Sequence, residues 1–402
     1  LLSNLNPRGR SFIRLPRHPI ASRRLFPAFA LAAVLVLSRP LTSRAQNSLS
    51  YEYEDYDEPD GRVGVTTQTA RADQDLGTDM HVALTGVIDA IAGATPTGQP
   101  APKGSDQVPT SYLHDYRKAW EGDFAGQMPN FNVAVGFSRS IEGDYESNGY
   151  SVNTLTDFNQ KNTTLLVGVA GTDDNVETFF GGGWVKKYDL DFIVGVTQLL
   201  DPLTSVTLNA TVSHEHGFLN DQYKLVEKDF QVLPGIFLPA TFAESRPGVR
   251  TKGDLYASIN RSVPGLHGAL EASYRLYHDT YGITANTAEL AWFQHLGPKF
   301  ILKPDIRLYQ QNAADFYIYN LNNSEIAPTG TPSPNGPHYS SDARLSAFRE
   351  ADCSLKLIWI VADWLQFDGS IGGYTQRGTD GVTPQSAYYR AMITTGGAKV
   401  SW

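Results

Sequence analysis

The chain has 402 residues, rich in Gly (36) and Tyr (20), and its charged fraction is 19%, below the roughly 25% of ordinary soluble domains. Its one cysteine, Cys353, excludes an intrachain disulfide. A formal net charge of −9 argues against a nucleic-acid partner, because phosphate binding needs clustered Lys and Arg.

Residues 1–45 read as a signal peptide. Arg8, Arg10, Arg14, Arg17, Arg23 and Arg24 precede an apolar run from Leu25 to Leu37, and Ser43 and Ala45 flank Arg44 as small residues at a cleavage position. The run is too short to cross a bilayer as a helix, which takes about 20 residues. An uncleaved amphipathic anchor is the alternative. No Cys follows the run to carry a lipid. Cleavage removes eight of the 33 basic side chains and no acid, leaving 25 basic against 42 acidic groups and a net charge of −17.

Next comes Tyr51-Glu52-Tyr53-Glu54-Asp55-Tyr56-Asp57-Glu58. It lacks apolar periodicity and reads as a solvated stretch, so residues 46–77 are assigned to an acidic, Tyr-rich periplasmic tail or a plug segment. Clustered carboxylates suit a hard cation, but loop-type ligand spacing is missing here.

From residue 78 to 402 the chain alternates with period two, as membrane strands do. Phe131, Val133, Val135 and Phe137 oppose Asn132, Gly136 and Ser138. Tyr188, Leu190, Phe192, Val194 and Val196 oppose Asp189, Asp191, Gly195 and Thr197. Asp201-Pro202 then turns the chain, and Val206, Leu208, Ala210 and Val212 oppose Thr207, Asn209, Thr211 and Ser213. The pattern recurs at 270–277 and 300–308. A soluble sandwich would alternate too. The export signal, the alternation of tight turns (Asp201-Pro202, Pro264-Gly265, Gly297-Pro298) with long polar excursions (about 217–248 and 318–337), and a last strand with Val400 and Trp402 on one face favour the membrane. That terminal pair is the expected assembly signal.

The fold class expected is therefore all-β, a transmembrane antiparallel up-and-down β-barrel. Fourteen strands are placed near 78–92, 115–127, 130–141, 145–159, 161–173, 186–199, 203–216, 249–262, 267–279, 282–296, 299–316, 341–361, 363–376 and 388–402. Adding Arg62–Ala72 would give fifteen, an odd number that bacterial single-chain barrels avoid. Sixteen, reached by splitting 341–361 at Arg349-Glu350, is the runner-up.

Several segments resemble a known family. They are Val87-Ile88-Asp89-Ala90-Ile91-Ala92-Gly93-Ala94-Thr95-Pro96-Thr97-Gly98, Glu142-Gly143-Asp144-Tyr145-Glu146-Ser147, Gln160-Lys161-Asn162-Thr163-Thr164, Gln198-Leu199-Leu200-Asp201-Pro202, Arg246-Pro247-Gly248-Val249-Arg250 and Gln311-Asn312-Ala313-Ala314-Asp315-Phe316-Tyr317. Together they resemble the bacterial family catalogued as domain of unknown function 3570. The resemblance implies an outer-membrane barrel and transfers no catalytic residue. Gly217-Phe218-Leu219 departs from the Gly-Tyr-Leu-type motif frequent in that family.

No metalloprotease, nucleophile-elbow, paired-cysteine or phosphate-cradling motif is present. His214-Glu215-His216 has two imidazoles on one strand face, but a third ligand is missing and rim polarity explains the pair. Neither a metal nor a cofactor is expected. The inward row is the candidate site, and by parity it carries Asp189, Asp191, Asp254, Glu271, Arg275, Glu289, Lys303, Asp305, Arg307, Glu350, Asp352, Lys356 and Asp368. Nine acids and four bases would line an open lumen and favour cations, or else pair across a narrow one. Tyr188, Trp292, Phe300, Trp359 and Trp364 fall toward strand ends, as interfacial girdles do.

The expected function is a weakly cation-preferring outer-membrane pore for small solutes. The alternative is a non-conducting scaffold holding a periplasmic protein through the tail. An outer-membrane hydrolase has only the fold to recommend it. The expected partners are outer-membrane lipid and, during biogenesis, the barrel assembly machinery.

Overall fold

The computed structural model describes residues 47–402 apart from Asn130, Phe180, Gly181 and Asn323; the export segment lies outside the described residues. The first strands are β1 (Ser48–Asp57), β2 (Gly64–Leu76), β3 (Met80–Pro96), β4 (Thr110–Gln127), β5 (Phe131–Ile141) and β6 (Tyr145–Phe158). Then follow β7 (Thr163–Glu177), β8 (Trp184–Asp201), β9 (Thr204–Gly217), β10 (Leu225–Leu233), β11 (Ile236–Ala243) and β12 (Val249–Val263). The last are β13 (Gly268–Asp279), β14 (Thr284–Leu296), β15 (Phe300–Gln311), β16 (Phe348–Ala362), β17 (Leu365–Gly378) and β18 (Arg390–Ser401). Sixteen of these close into one antiparallel barrel, in which β1 pairs with both β2 and β18; β10 and β11 form a separate hairpin.

The barrel begins thirty residues earlier than the alternation suggested. Residues 48–76 are wall, not tail or plug, and they carry the count from fourteen to sixteen. The acidic stretch is itself a period-two strand, with Tyr51 and Tyr53 exposed on the outside and Glu52 turned toward the interior Lys356, 3.9 Å away. Taking β1 and β2 together restores the even number that counting one of them destroys. Sixteen does not come from a break at Arg349-Glu350, because β16 runs unbroken through both.

Two ends of the barrel differ. Trp402 N–H donates to Asn47 O at 3.0 Å, so both ends of the described chain lie at the end where the strands are joined by tight turns. Gly297, at φ 72°, makes the turn between β14 and β15 with a backbone that L side chains rarely adopt. The opposite end carries the long connections 97–109, 218–248, 312–347 and 379–389. Short turns face the periplasm in such barrels and long loops face outward.

The outer surface is an apolar belt. Leu84, Phe137, Leu190, Phe192, Leu208, Val212, Leu255, Tyr274, Leu308 and Ile371 are all exposed, while their sequence neighbours on the other row are partly buried. Exposed apolar rows around a closed sheet belong in hydrocarbon, and closure leaves no backbone edge unpaired there. Trp359 stacks on Phe300 and packs on Phe367, with centroids 6.2 and 6.0 Å apart, near the tight-turn end; Tyr188 stacks on His216 near the other, at 4.9 Å. These aromatics bracket the belt. An antiparallel sixteen-strand barrel with this surface is an integral protein of the bacterial outer membrane.

Arg placed on the outer row should block insertion, and Arg on the inner row should not. Leu208→Arg puts a charge in lipid at about 2–4 kcal/mol near the midplane, whereas Thr197, which shares an interior hydrogen bond of 2.9 Å with Thr207, faces water. Heat-modifiable migration in outer-membrane fractions is expected to vanish for Leu208→Arg and persist for Thr197→Arg; equal behaviour would contradict the facing of the rows.

Candidate functional site

The interior row of β8 and β12 through β17 carries all thirteen charged residues marked out by parity, each opposite an exposed apolar row. At sixteen strands a barrel is wide enough to enclose water. The inward charges stay partly exposed for that reason; the Glu289 side chain keeps 51% of its surface.

The structure brings some of the thirteen together and leaves others apart. Arg307 bridges two acids, Glu289 at 3.1 Å and Glu350 in a shorter contact, and Gln376 also donates to Glu350 at 2.8 Å. Lys356 pairs with Asp368 at 2.6 Å. Arg275 approaches Asp254 at 3.9 Å and lies over the Tyr256 ring. Lys303 sits over the Phe293 ring, 5.0 Å from its centroid, and Asp305 accepts a hydrogen bond from Ser354. Asp189 and Asp191 each keep one buried carboxylate oxygen without a hydrogen-bond partner. Three of the four bases are thus held by acids, while Asp189, Asp191 and Asp305 bond to none of those bases.

Sequence reasoning missed interior charges on β2, which it had not placed, and on β4 and β9, which it placed without counting the charges of their inward rows. Arg71 binds Asp73 at 2.9 Å, and Glu121 and Asp123 line β4 on the same row. Glu215 points inward between the outward His214 and His216, and holds Lys252 at 2.5 Å. The signal for Glu215 was available, since parity that turns both histidines out must turn it in.

The loop end is covered. Connections 97–109, 218–248, 312–347 and 379–389 leave the rim at four separated points, yet they bond to one another and so span the mouth. Leu225 N–H donates to Thr97 O at 2.9 Å, Leu321 N–H to Glu227 O at 2.9 Å, and Val108 N–H to Ser386 Oγ at 3.1 Å. Three buried apolar clusters lie among them. One joins Val108, Ala343, Ala387 and Tyr388 to Phe348, another packs Ala314 and Leu345 on Tyr281 and Ile283, and a third unites Val226, Leu321 and Tyr339.

A buried ionic network ties this lid together. Arg246 Nε lies 2.7 Å from Glu244 and its Nη2 lies 2.9 Å from Asp342, with both acids 1% exposed. Arg344 binds Asp342 and reaches Asp221, and Ser340 donates to Glu244 at 2.5 Å. Lys224, 1% exposed, donates to Pro96 O at 2.5 Å. Three acids and three bases balance when all are ionised. Burial alone would raise the Asp342 carboxyl, but Arg344, Lys224 and Arg246 outweigh it and hold the group well below the usual carboxylate range. Stabilisation from such a group is present above its ordinary range and is lost only as pH falls through the lower folded value.

Arg246→Ala would leave the buried Glu244 carboxylate without its base and take one of several from Asp342, a loss of about 3–5 kcal/mol for networks of this kind. Hydrogen exchange read by mass spectrometry should show faster exchange across 218–248 and 338–346 with barrel strands unchanged. Burial pushes the Glu244 carboxyl up to about 7 against the pull of Arg246, so the folded lid takes up a proton there between pH 7 and pH 5. In the unaltered protein, lid protection corrected for intrinsic rates should therefore not fall over that range. A lid as protected in the variant as in the parent would refute this account of what holds it.

No curated protein matches the chain. Among solved structures, a bacterial polysaccharide outer-membrane secretin aligns over 90% of this chain and 100% of its own, with TM-score 0.48 and 6% identity. The CymD monoaromatic hydrocarbon channel aligns over 90% of this chain and 89% of its own, with TM-score 0.40 and 9% identity. OccK8 (OprE) of Pseudomonas aeruginosa aligns over 89% and 98%, with TM-score 0.42 and 7% identity. A family model matches residues 20–185 and 183–390, nearly the whole described barrel, and the chain belongs to that family, described as Protein of unknown function (DUF3570).

Proposed function

We propose that this protein is a lidded, weakly cation-preferring pore for small hydrophilic solutes. The observation that carries the reading is the imbalance of the interior: the thirteen residues are nine acids and four bases, and after Arg307, Lys356 and Arg275 are matched to their partners only Lys303 is left against Asp189, Asp191 and Asp305. Glu52, Glu121 and Asp123 add to the imbalance from β1 and β4. A confined, partly low-dielectric lumen lined with carboxylates concentrates cations and excludes anions. The lid sets how often the path opens, and the interior charge sets what passes.

The scaffold reading loses the feature that motivated it. It required residues 46–77 to reach a periplasmic partner, and residues 48–76 are spent on the wall.

In planar bilayers under a salt gradient, the purified protein should conduct with a reversal potential of cationic sign. Replacing Asp189, Asp191 and Asp305 together by Asn should move that potential toward anions, and replacing Asp229 of the β10–β11 hairpin should move it less. The preference should weaken as salt rises, because the screening length falls from about 10 Å at 0.1 M to about 3 Å at 1 M. Silence at every gradient, for the whole protein and for a variant with the lid loosened by Arg246→Ala, would end the pore reading. Conduction with anion preference would end the charge assignment alone.

A further inference from the structure

The rim beside the lid holds a second cluster of charge that the lumen does not use. Glu142, Gly143 and Asp144 connect β5 to β6, and Asp115 faces them from the interior row of β4. One carboxylate oxygen from each of Asp115, Glu142 and Asp144 lies within 4.8 Å of the others. The backbone N–H groups of Tyr116 and Gly143 donate to Asp115 Oδ1 at 2.7 and 3.2 Å. Arg117 lies 4.0 Å from Glu142, but it is shared with Asp89, which it approaches to 2.5 Å. One guanidinium therefore serves an acidic group outside the cluster first.

An independent feature points into this cluster from the lid. Gln222, on the segment between β9 and β10, is 6% exposed. Its Nε2 donates to Asp144 Oδ2 at 3.0 Å, so its amide head reaches the carboxylates, and its Oε1 is buried with no hydrogen-bond partner. Buried amide oxygens in folded proteins are nearly always satisfied. The two ends of an amide are interchangeable in shape, so a half-turn of the head sets the oxygen where the nitrogen lies.

We propose that Asp115, Glu142, Asp144 and Gln222 form a divalent-cation site, of the Ca²⁺ class, that fastens the lid loop 218–248 to the barrel wall. The donors are all oxygen, three anionic and one neutral, which selects a hard cation over Zn²⁺ or Cu²⁺. Ca²⁺ accepts an irregular set of six to eight oxygens and completes it with carbonyls and water, whereas Mg²⁺ requires a compact octahedron. The site joins two pieces of chain, wall and lid, and stands whether or not the lumen conducts.

The test is calorimetric titration of the purified, chelator-stripped full-length protein with CaCl₂, alongside hydrogen exchange. One Ca²⁺ per chain is expected, with a Kd on the order of 10⁻⁴–10⁻³ M as in extracellular sites, and slower exchange at 218–224 when it binds. Asp115→Asn with Asp144→Asn should weaken binding by at least about tenfold, a differential of about 1.4 kcal/mol, with heat-modifiable migration intact. Should that variant fail to fold, Gln222→Met leaves the wall untouched and should still weaken binding and abolish the slowing at 218–224. No saturable binding up to about 10 mM, well above that affinity range, overturns the proposal, and so does unchanged affinity in either folded variant.

Discussion

The pairing of β1 with β18 makes the remainder of the structure possible. Ten residue pairs, from Ser48↔Ser401 to Asp57↔Met392, join the two edges of a sixteen-strand sheet. In hydrocarbon each unpaired backbone N–H or C=O costs several kcal/mol, with no water to take its place. A sheet that stayed open at this seam would present two full edges to lipid. Closure removes them, and it also separates the residues into a row that meets lipid and a row that meets a water-filled interior.

That separation explains how one chain carries Leu208 and Asp189 within a few ångströms of the same hydrogen-bond ladder. Leu208 lies exposed on the outer row, and Asp189 opposes Glu215 on the inner one. Charges on the inner row are mostly only part-buried beside a water-filled interior, so they cost far less than charges in lipid and can set the sign of the interior. The lid obeys different physics. Its charges are buried, and they hold because every acid among Asp221, Glu244 and Asp342 is answered by Arg246, Arg344 or Lys224. The interior tolerates imbalance where the lid does not, and the two regions accordingly suit different tasks, selection and closure.

Much of the wall was legible in the sequence. The period-two rows place β3 through β18 of the barrel to within a few residues for most strands, because large aliphatic and aromatic side chains mark the lipid row there. The first two strands were hidden by what faces outward on them. On β2 the outer row reads Thr66, Gln68, Ala70 and Ala72, too small and polar to register as apolar, and Tyr51 satisfies Gln68 through a 3.1 Å hydrogen bond. On β1 the alternation of Tyr51 and Tyr53 with Glu52 and Glu54 was present but drowned by the acidic count. The lid was beyond reach for another reason. Arg246 and Asp342 are 96 positions apart on loops with no period, and the hairpin of β10 and β11 lies inside a stretch that reads as polar excursion. The rim carboxylates show the same limit: Glu142 and Asp144 are neighbours in sequence, but Asp115 and Gln222 reach them only through the fold.

The seam itself can be trapped. With Cys353→Ser as background, Glu54→Cys and Thr395→Cys place thiols at directly opposed positions of β1 and β18, where antiparallel partners stand about 4.5–5.5 Å apart, within disulfide reach. Oxidation in intact outer membranes, followed by mass spectrometry of the linked peptides, should yield the 54–395 crosslink in high yield, with none between Thr395→Cys and Ala83→Cys on β3. A crosslink from position 395 to position 83, with position 54 left as free thiol, would mean that β18 closes on β3 and that the fourteen-strand barrel is the real one.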